Sequence, residues 1–138
     1  MTRPNPVTSG VHHVGLTVPD LPAARRFFED ALGFDVIGGV EDYPSSFLSD
    51  GSVMLTLWQA TDPARAVAFD RKNNVGLHHL SLAIQPNGDL DALHRRLADR
   101  DDVEIEFAPE SLGGGPTRHM MCAIPGGVRL ELIAPAGA

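Results

Sequence analysis

Gly10 Val11 His12 His13 Val14 Gly15 Leu16 Thr17 Val18 is answered, 66 positions further on, by Gly76 Leu77 His78 His79 Leu80 Ser81 Leu82 Ala83 Ile84. The two segments register residue for residue, and similarity repeated at nearly half the chain length reads as two copies of one structural unit. Two further matches keep the same order. Asp20 Leu21 Pro22 Ala23 Ala24 Arg25 Arg26 Phe27 corresponds to Asp89 Leu90 Asp91 Ala92 Leu93 His94 Arg95 Arg96 Leu97, and Gly51 Ser52 Val53 Met54 Leu55 Thr56 Leu57 stands 75 positions before Gly126 Gly127 Val128 Arg129 Leu130 Glu131 Leu132.

Within each copy the apolar period changes in the same sequence. Val14, Leu16 and Val18 alternate with His13, Gly15 and Thr17, as Leu80, Leu82 and Ile84 alternate with His79, Ser81 and Ala83, which is the period of a half-buried strand over Val11 to Val18 and its repeat. Helical spacing follows. Asp20 and Asp89 are placed to cap helices, Gly33 to stop the first one, and Ala24, Phe27, Phe28, Ala31 and Leu32 form one stripe, with Leu90, Leu93 and Leu97 a thinner one. Short strand candidates then run over 35–40, 46–49 and 53–58, and over 103–107, 119–124 and 128–133, with turns at Asp50 Gly51 and Pro125 Gly126 Gly127. The pattern predicts an α+β fold of two tandem βαβββ modules forming a curved mixed sheet around a central cavity, with the helices outside. Residues 1–9 read as a flexible N-terminal tail and 10–135 as one domain, comprising module one (10–60), a surface linker (61–75) and module two (76–135).

A chain of 138 residues with 43% hydrophobic residues buries a substantial core. Its formal net charge of −7 argues against nucleic acid and anionic membranes, both of which select a basic face. The single cysteine, Cys122, forms no internal disulfide and is expected as a buried strand residue; no apolar leader follows Met1, so a cytoplasmic location is the default expectation.

In the final strand of each module the position facing away from the Val/Leu row is Thr56 in the first and Glu131 in the second. If these faces coincide with those of His13 and His79, four equivalent positions converge on one concavity, and three of them are metal ligands. Two imidazoles and one carboxylate with open coordination positions suit Fe(II), Mn(II), Ni(II), Co(II) or Zn(II). The small neighbours Gly15, Thr17, Ser81 and Ala83 leave room for a ligand. Glu131 also stands out because an inward carboxylate is costly unless it is paired or ligating. His12 and His78 are expected to face the other way and serve structure.

Carried by HHVGLTVPDL, GLHHLSLAI and PGGVRLELI, the chain resembles the vicinal oxygen chelate superfamily, which includes glyoxalase I, methylmalonyl-CoA epimerase, fosfomycin-modifying enzymes, extradiol dioxygenases and bleomycin resistance proteins. The resemblance covers residues 10–135. It implies His13, His79 and Glu131 as ligands of a divalent cation that binds two adjacent substrate oxygens as a Lewis acid, with Glu131 alternatively acting as a catalytic base. The fourth family ligand, often glutamate, falls on Thr56, leaving a three-ligand site like those of extradiol dioxygenases and fosfomycin-modifying enzymes. Met121 stands where ring-cleaving dioxygenases carry a tyrosine, and residues 60–75 lack their acid-base histidine, for which His119 is either a substitute or a rim residue. Thr56, Trp58, Arg118, His119 and Met121 are the expected substrate-binding side chains, with Arg118 the anchor for a carboxylate or phosphate.

The leading expectation is therefore a metal-dependent lyase, isomerase or oxygenase acting on a small oxygen-rich metabolite. The alternative is a non-catalytic protein of the same fold that sequesters a small molecule or antibiotic. Family members of this length pair modules across two chains, so a symmetric homodimer with two sites is expected, an arrangement that allows ligands to come from both chains.

Overall fold

The structure, a computed structural model, describes residues 2–136; Met1 of the expected tail lies outside them. Strand β1 (His13–Val18) leads into α1 (Leu21–Leu32), followed by β2 (Asp35–Gly38), β3 (Ser45–Ser49) and β4 (Met54–Gln59). The second module repeats the order with β5 (Leu80–Ala83), α2 (Leu90–Ala98), β6 (Glu104–Ser111), β7 (Arg118–Ala123) and β8 (Arg129–Ala134). The fold is thus α+β, with two four-stranded mixed sheets of identical order, β1-β4-β3-β2 and β5-β8-β7-β6. No helix among the described residues is long and apolar enough to cross a membrane.

Local chemistry sets the helix ends. Asp20, in extended conformation, accepts a hydrogen bond from the Ala23 amide, and Asp89 does the same from Ala92, satisfying donors that a helix start leaves free. Gly33 adopts φ 74°, a left-handed turn that glycine enters without strain, and its amide reaches back to the Glu29 carbonyl.

The apolar stripe of α1 buries Ala24, Phe27, Phe28 and Ala31, and these join Leu16, Val18, Leu48, Leu55 and Leu57 of the first sheet. The same cluster continues through Leu90, Leu97, Met120, Cys122, Leu130 and Leu132, so the two modules share one core. Arg96 of α2 donates to the Ala31 carbonyl at 3.3 Å, tying the helices together.

Register preserves the duplication. β1 runs parallel to β4 with Gly15 opposite Thr56, and β5 runs parallel to β8 with Ser81 opposite Glu131. Each of these pairs occupies the equivalent place in its module, with the first-strand histidine two residues earlier.

Several boundaries differ from the periodicity. β1 begins at His13 rather than Val11, and β5 starts only at Leu80, because Gly10 (φ 110°) and Gly76 (φ 142°) turn the approaching chain out of extended geometry. β6 extends to Ser111 through two register irregularities, between Ile105 and Phe107 and between Phe107 and Glu110. Bulges of this kind shift the alternation, so the period-2 signal fades there. The 61–75 segment contains a short 3-10 turn, Pro63–Arg65, and is fastened to β6 by Arg71, which meets Glu106 at 2.9 Å.

Phe28 has no exposed surface and packs edge-on against Phe27 and Phe34, with ring centroids 5.2 and 5.4 Å apart. Phe28→Ala is expected to lower unfolding free energy by about 3–5 kcal/mol in denaturant titrations. A loss below about 1 kcal/mol would place this ring outside the shared core.

Candidate functional site

Glu131 lies on the face of β8 opposite Leu130 and Leu132, and is only 8% exposed. Its neighbours are set by register: Ser81 on β5 and Met121 on β7 lie directly opposite, and His119 stands two residues before Met121 on the same face. His119 Nδ1 approaches Glu131 Oε2 at 2.6 Å. The carboxylate accepts there, so Nδ1 carries a proton, and in the neutral ring Nε2 keeps its lone pair. His79 Nε2 stands 3.7 Å from the other carboxylate oxygen, Oε1.

Burial works against ionisation of Glu131, yet hydrogen bonds from His119 and Ser81 more than offset it, and the carboxyl is held below its usual range. A base at this position needs a raised pKa; these surroundings favour the ionised carboxylate. Phe107 packs edge-on against His119 with centroids 4.9 Å apart, and Glu110 Oε1 lies 3.9 Å from its Nε2. Cys122 faces the core with Leu130, and burial pushes its thiol up to about 11, which leaves it protonated and unsuited to ligation.

The corresponding face of module one is built differently. Thr56, 5% exposed, accepts from Trp58 Nε1 at 2.9 Å. Trp58 stacks edge-on with Tyr43 at 4.8 Å and lies 5.8 Å from Phe47. Gly15 permits this approach, since a Cβ there would stand 3.0 Å from Thr56 Oγ1. His13 is exposed, and its Nδ1 meets His12 Nδ1 at 2.9 Å.

The structure brings together Glu131, His119 and Met121, with His79 beside them, and separately Thr56 and Trp58. It does not bring the two groups into one metal-holding cluster: among the described residues no three His, Cys, Asp or Glu side chains are grouped to hold an ion. The expected convergence of His13 with His79 and Glu131 is therefore absent within one chain. Arg118, expected as a substrate anchor, alternates with His119 and so faces away; it is engaged by Asp91 of α2 through two hydrogen bonds of 2.9 and 3.1 Å. His12 and His78 also depart from expectation, because each precedes regular strand geometry and turns alongside its neighbouring histidine instead of away from it.

Sequence reading missed Ser81 as a partner of Glu131, Phe47 beside Trp58, and Arg129. The last was detectable, since Arg129 stands two residues before Glu131 and shares its face.

The residues fit a divalent cation in part. Bonds of about 2.0–2.2 Å to nitrogen and oxygen span donor separations up to about 4 Å, and the His79 Nε2 to Glu131 Oε1 distance of 3.7 Å falls within that reach. This pair supplies two donors; a third has to come from elsewhere.

His119→Gln removes the imidazole that holds Glu131 ionised, and the Glu131 pKa is expected to rise, as followed by carboxyl carbon NMR. The sign for stability follows. A depressed folded pKa stabilises above the unfolded value and that contribution is lost as pH falls through the folded one, so the variant should show a shallower loss of stability on acidification. An unmoved Glu131 titration would contradict the pairing.

Residues 10–132 match the family described as the Glyoxalase/Bleomycin resistance protein/Dioxygenase superfamily. Among known proteins, a 2-epi-5-epi-valiolone epimerase from Actinomyces sp. is 30% identical over 156 aligned positions, covering 96% of this chain and 84% of that protein. A solved glyoxylase/bleomycin resistance protein/dioxygenase domain from Frankia sp. superposes with a TM-score of 0.73 at 28% identity, covering 95% of this chain and 96% of that one. A genomically encoded fosfomycin resistance protein from Listeria monocytogenes shares the fold at a TM-score of 0.72 and 18% identity, covering 95% and 97% of the respective chains. The 30% identical epimerase and the family match lean towards an enzyme. The repeated βαβββ modules, the equivalent registers and the match over 10–132 together show that the chain belongs to the Glyoxalase/Bleomycin resistance protein/Dioxygenase superfamily.

Proposed function

We propose that residues 10–135 form one vicinal oxygen chelate domain that works as a metal-dependent isomerase of epimerase type. Its substrate is a small oxygen-rich metabolite held through adjacent oxygens. The observation that carries this reading is the Glu131 carboxylate, buried and kept ionised by His119 and Ser81, with His79 Nε2 3.7 Å from its Oε1. The 30% identical epimerase supports the choice of reaction.

His79 and Glu131 of one chain would hold a divalent Fe, Mn, Ni, Co or Zn ion together with His13 of the partner subunit, in a symmetric homodimer with two sites. The exposure of His13 and the unpaired outer edges of β1 and β5 support a second copy, because an open strand edge invites pairing or cover. A cation held at that site would supply Lewis-acid stabilisation of negative charge developing on adjacent substrate oxygens.

The chain's own residues supply the rest. His119 keeps one proton on Nδ1 against Glu131 and offers Nε2 as the acceptor for the proton that leaves the epimerised carbon, and the epimer forms when a solvent-derived proton reaches the opposite face of that carbon. Thr56, whose oxygen already accepts from Trp58, keeps its hydroxyl hydrogen free to donate to a substrate oxygen. Met121 lies beside Glu131, and in the proposed dimer the module-one face that brings His13 of the partner subunit would also bring the partner's Thr56 and, as the apolar side of the site, the partner's aromatic cluster of Tyr43, Phe47 and Trp58.

The aromatic cluster of module one favours a second reading, in which the domain only sequesters a small molecule on Tyr43, Phe47 and Trp58.

Mn(II) titration discriminates. Glu131→Gln and His79→Ala are each expected to weaken binding at least about 10-fold while circular dichroism stays unchanged, since Leu130 and Leu132 pack on the opposite face. The metal-loaded protein, incubated in deuterated water with 2-epi-5-epi-valiolone, is expected to introduce deuterium at the epimerised carbon. Unchanged metal binding in both variants would sink the ligand assignment, and metal-independent ligand binding without exchange would favour sequestration.

A further inference from the structure

Next to Glu131 on the same face of β8, Arg129 is locked in place. Its Nε and Nη2 donate to the two oxygens of Glu106 at 2.8 and 2.6 Å, and the same carboxylate accepts from Arg71 of the linker at 2.9 Å. The Arg129 hydrogen bond, opposed by burial and assisted by Arg71, brings the Glu106 carboxyl down to about 2, so the clamp is charged at neutral pH. The third guanidinium nitrogen, Nη1, stands 3.4 Å from Nδ1 of His78, and that same Nδ1 is 2.8 Å from Nδ1 of His79.

With both imidazoles neutral, these contacts have one consistent arrangement of protons. Arginine has five donors, no acceptor, and does not lose its charge in proteins. A His78 carrying a proton on Nδ1 would turn that N–H towards a cationic donor, so His78 accepts at Nδ1 and keeps its proton on Nε2. With His78 Nδ1 an acceptor, the short 2.8 Å contact requires His79 to donate from its own Nδ1. A neutral imidazole protonated on Nδ1 has a bare lone pair on Nε2, the atom that stands 3.7 Å from Glu131 Oε1.

We propose that Arg129 and His78 are positioning residues that fix the tautomer of His79, holding its proton on Nδ1 and presenting Nε2 as a lone pair towards Glu131. The consequence for metal capture rests on the reading of His79 as a ligand; the tautomer itself does not. A ligating histidine generally has its second nitrogen tied to a partner that sets its tautomer, and here a cation outside the site acts through an intervening imidazole. Module one lacks the device. His12 and His13 make the same nitrogen-to-nitrogen contact at 2.9 Å, and among the described residues no arginine is within hydrogen-bond distance of either ring. Among the described residues the arginine contact is confined to the second module, which also carries the carboxylate.

The test reads protons directly. Long-range nitrogen-to-proton NMR correlations on metal-free full-length protein, at a pH where the imidazoles are neutral, should show His79 protonated on Nδ1 and His78 on Nε2. Arg129→Lys, which retains a cationic donor, should preserve this pattern. Arg129→Met, which keeps the apolar stem, should shift His79 towards the Nε2-protonated form and weaken Mn(II) binding about 10-fold. Parent protein with His79 protonated on Nε2 overturns the proposal without any variant, and so does a pattern that is the same in Arg129→Met. If the tautomer shifts as stated but Mn(II) affinity is unchanged in both Arg129→Met and His79→Ala, the positioning role stands and the ligand reading of His79 fails.

Discussion

A carboxylate on the inward face of a sheet is a constraint that its surroundings have to answer, and most of module two is arranged around the one at position 131. Removing an ionised carboxylate from water costs several kcal/mol after relaxation unless hydrogen bonds or an opposite charge replace the lost hydration. Here β7 brings His119 within 2.6 Å, β5 contributes Ser81, and His79 closes the third side. The other face of the same strand carries Leu130 and Leu132 into the shared core. One strand therefore couples the stability of the fold to the chemistry of the site: the leucines fix where the backbone lies, and the backbone fixes where the charge points.

Duplication makes the contrast with module one informative. Thr56 occupies the place of Glu131 in an equivalent register, so the same position of the fold carries a hydroxyl in one module and a carboxylate in the other. Module one has spent its inward face on aromatic surface, with Trp58 bonded to Thr56 and flanked by Tyr43 and Phe47. Module two has spent it on imidazoles and carboxylates. In the proposed dimer, a cleft made of one face of each kind would offer a substrate a polar side for oxygens and an aromatic side for carbon, which suits a compact molecule bearing both.

Much of this was legible from sequence because the deciding signals are local. The repeat of the histidine pairs, the alternation in β1 and β8, the cap aspartates and Gly33 each depend on a few adjacent residues, and each reappears in the structure at the expected place. The partners of Glu131 were not legible in the same way. His119 and Ser81 reach it through strand pairing between β5, β7 and β8, which sequence spacing does not specify, and the bulges of β6 disturb the alternation that would have placed Glu106 and Glu110. Arg118 shows the opposite case: strict alternation with His119 already directed it to the helix side, where Asp91 holds it, and its charge alone suggested a substrate role. The separation of His13 from His79 and Glu131 belongs to how whole modules meet, the level at which periodicity carries no information.

That separation makes the assembly of the site the central claim, and subunit mixing tests it most directly. His13→Ala and Glu131→Gln chains, each deficient in Mn(II) binding alone, are mixed under conditions that exchange subunits and the tagged heterodimer is isolated. With ligands drawn from two chains, one site of the heterodimer loses both altered residues' contributions and the other regains His13, His79 and Glu131 intact, so the account predicts one tightly bound ion per heterodimer. If each site draws all its ligands from one chain, both sites stay damaged, and a heterodimer without tight binding would contradict the account.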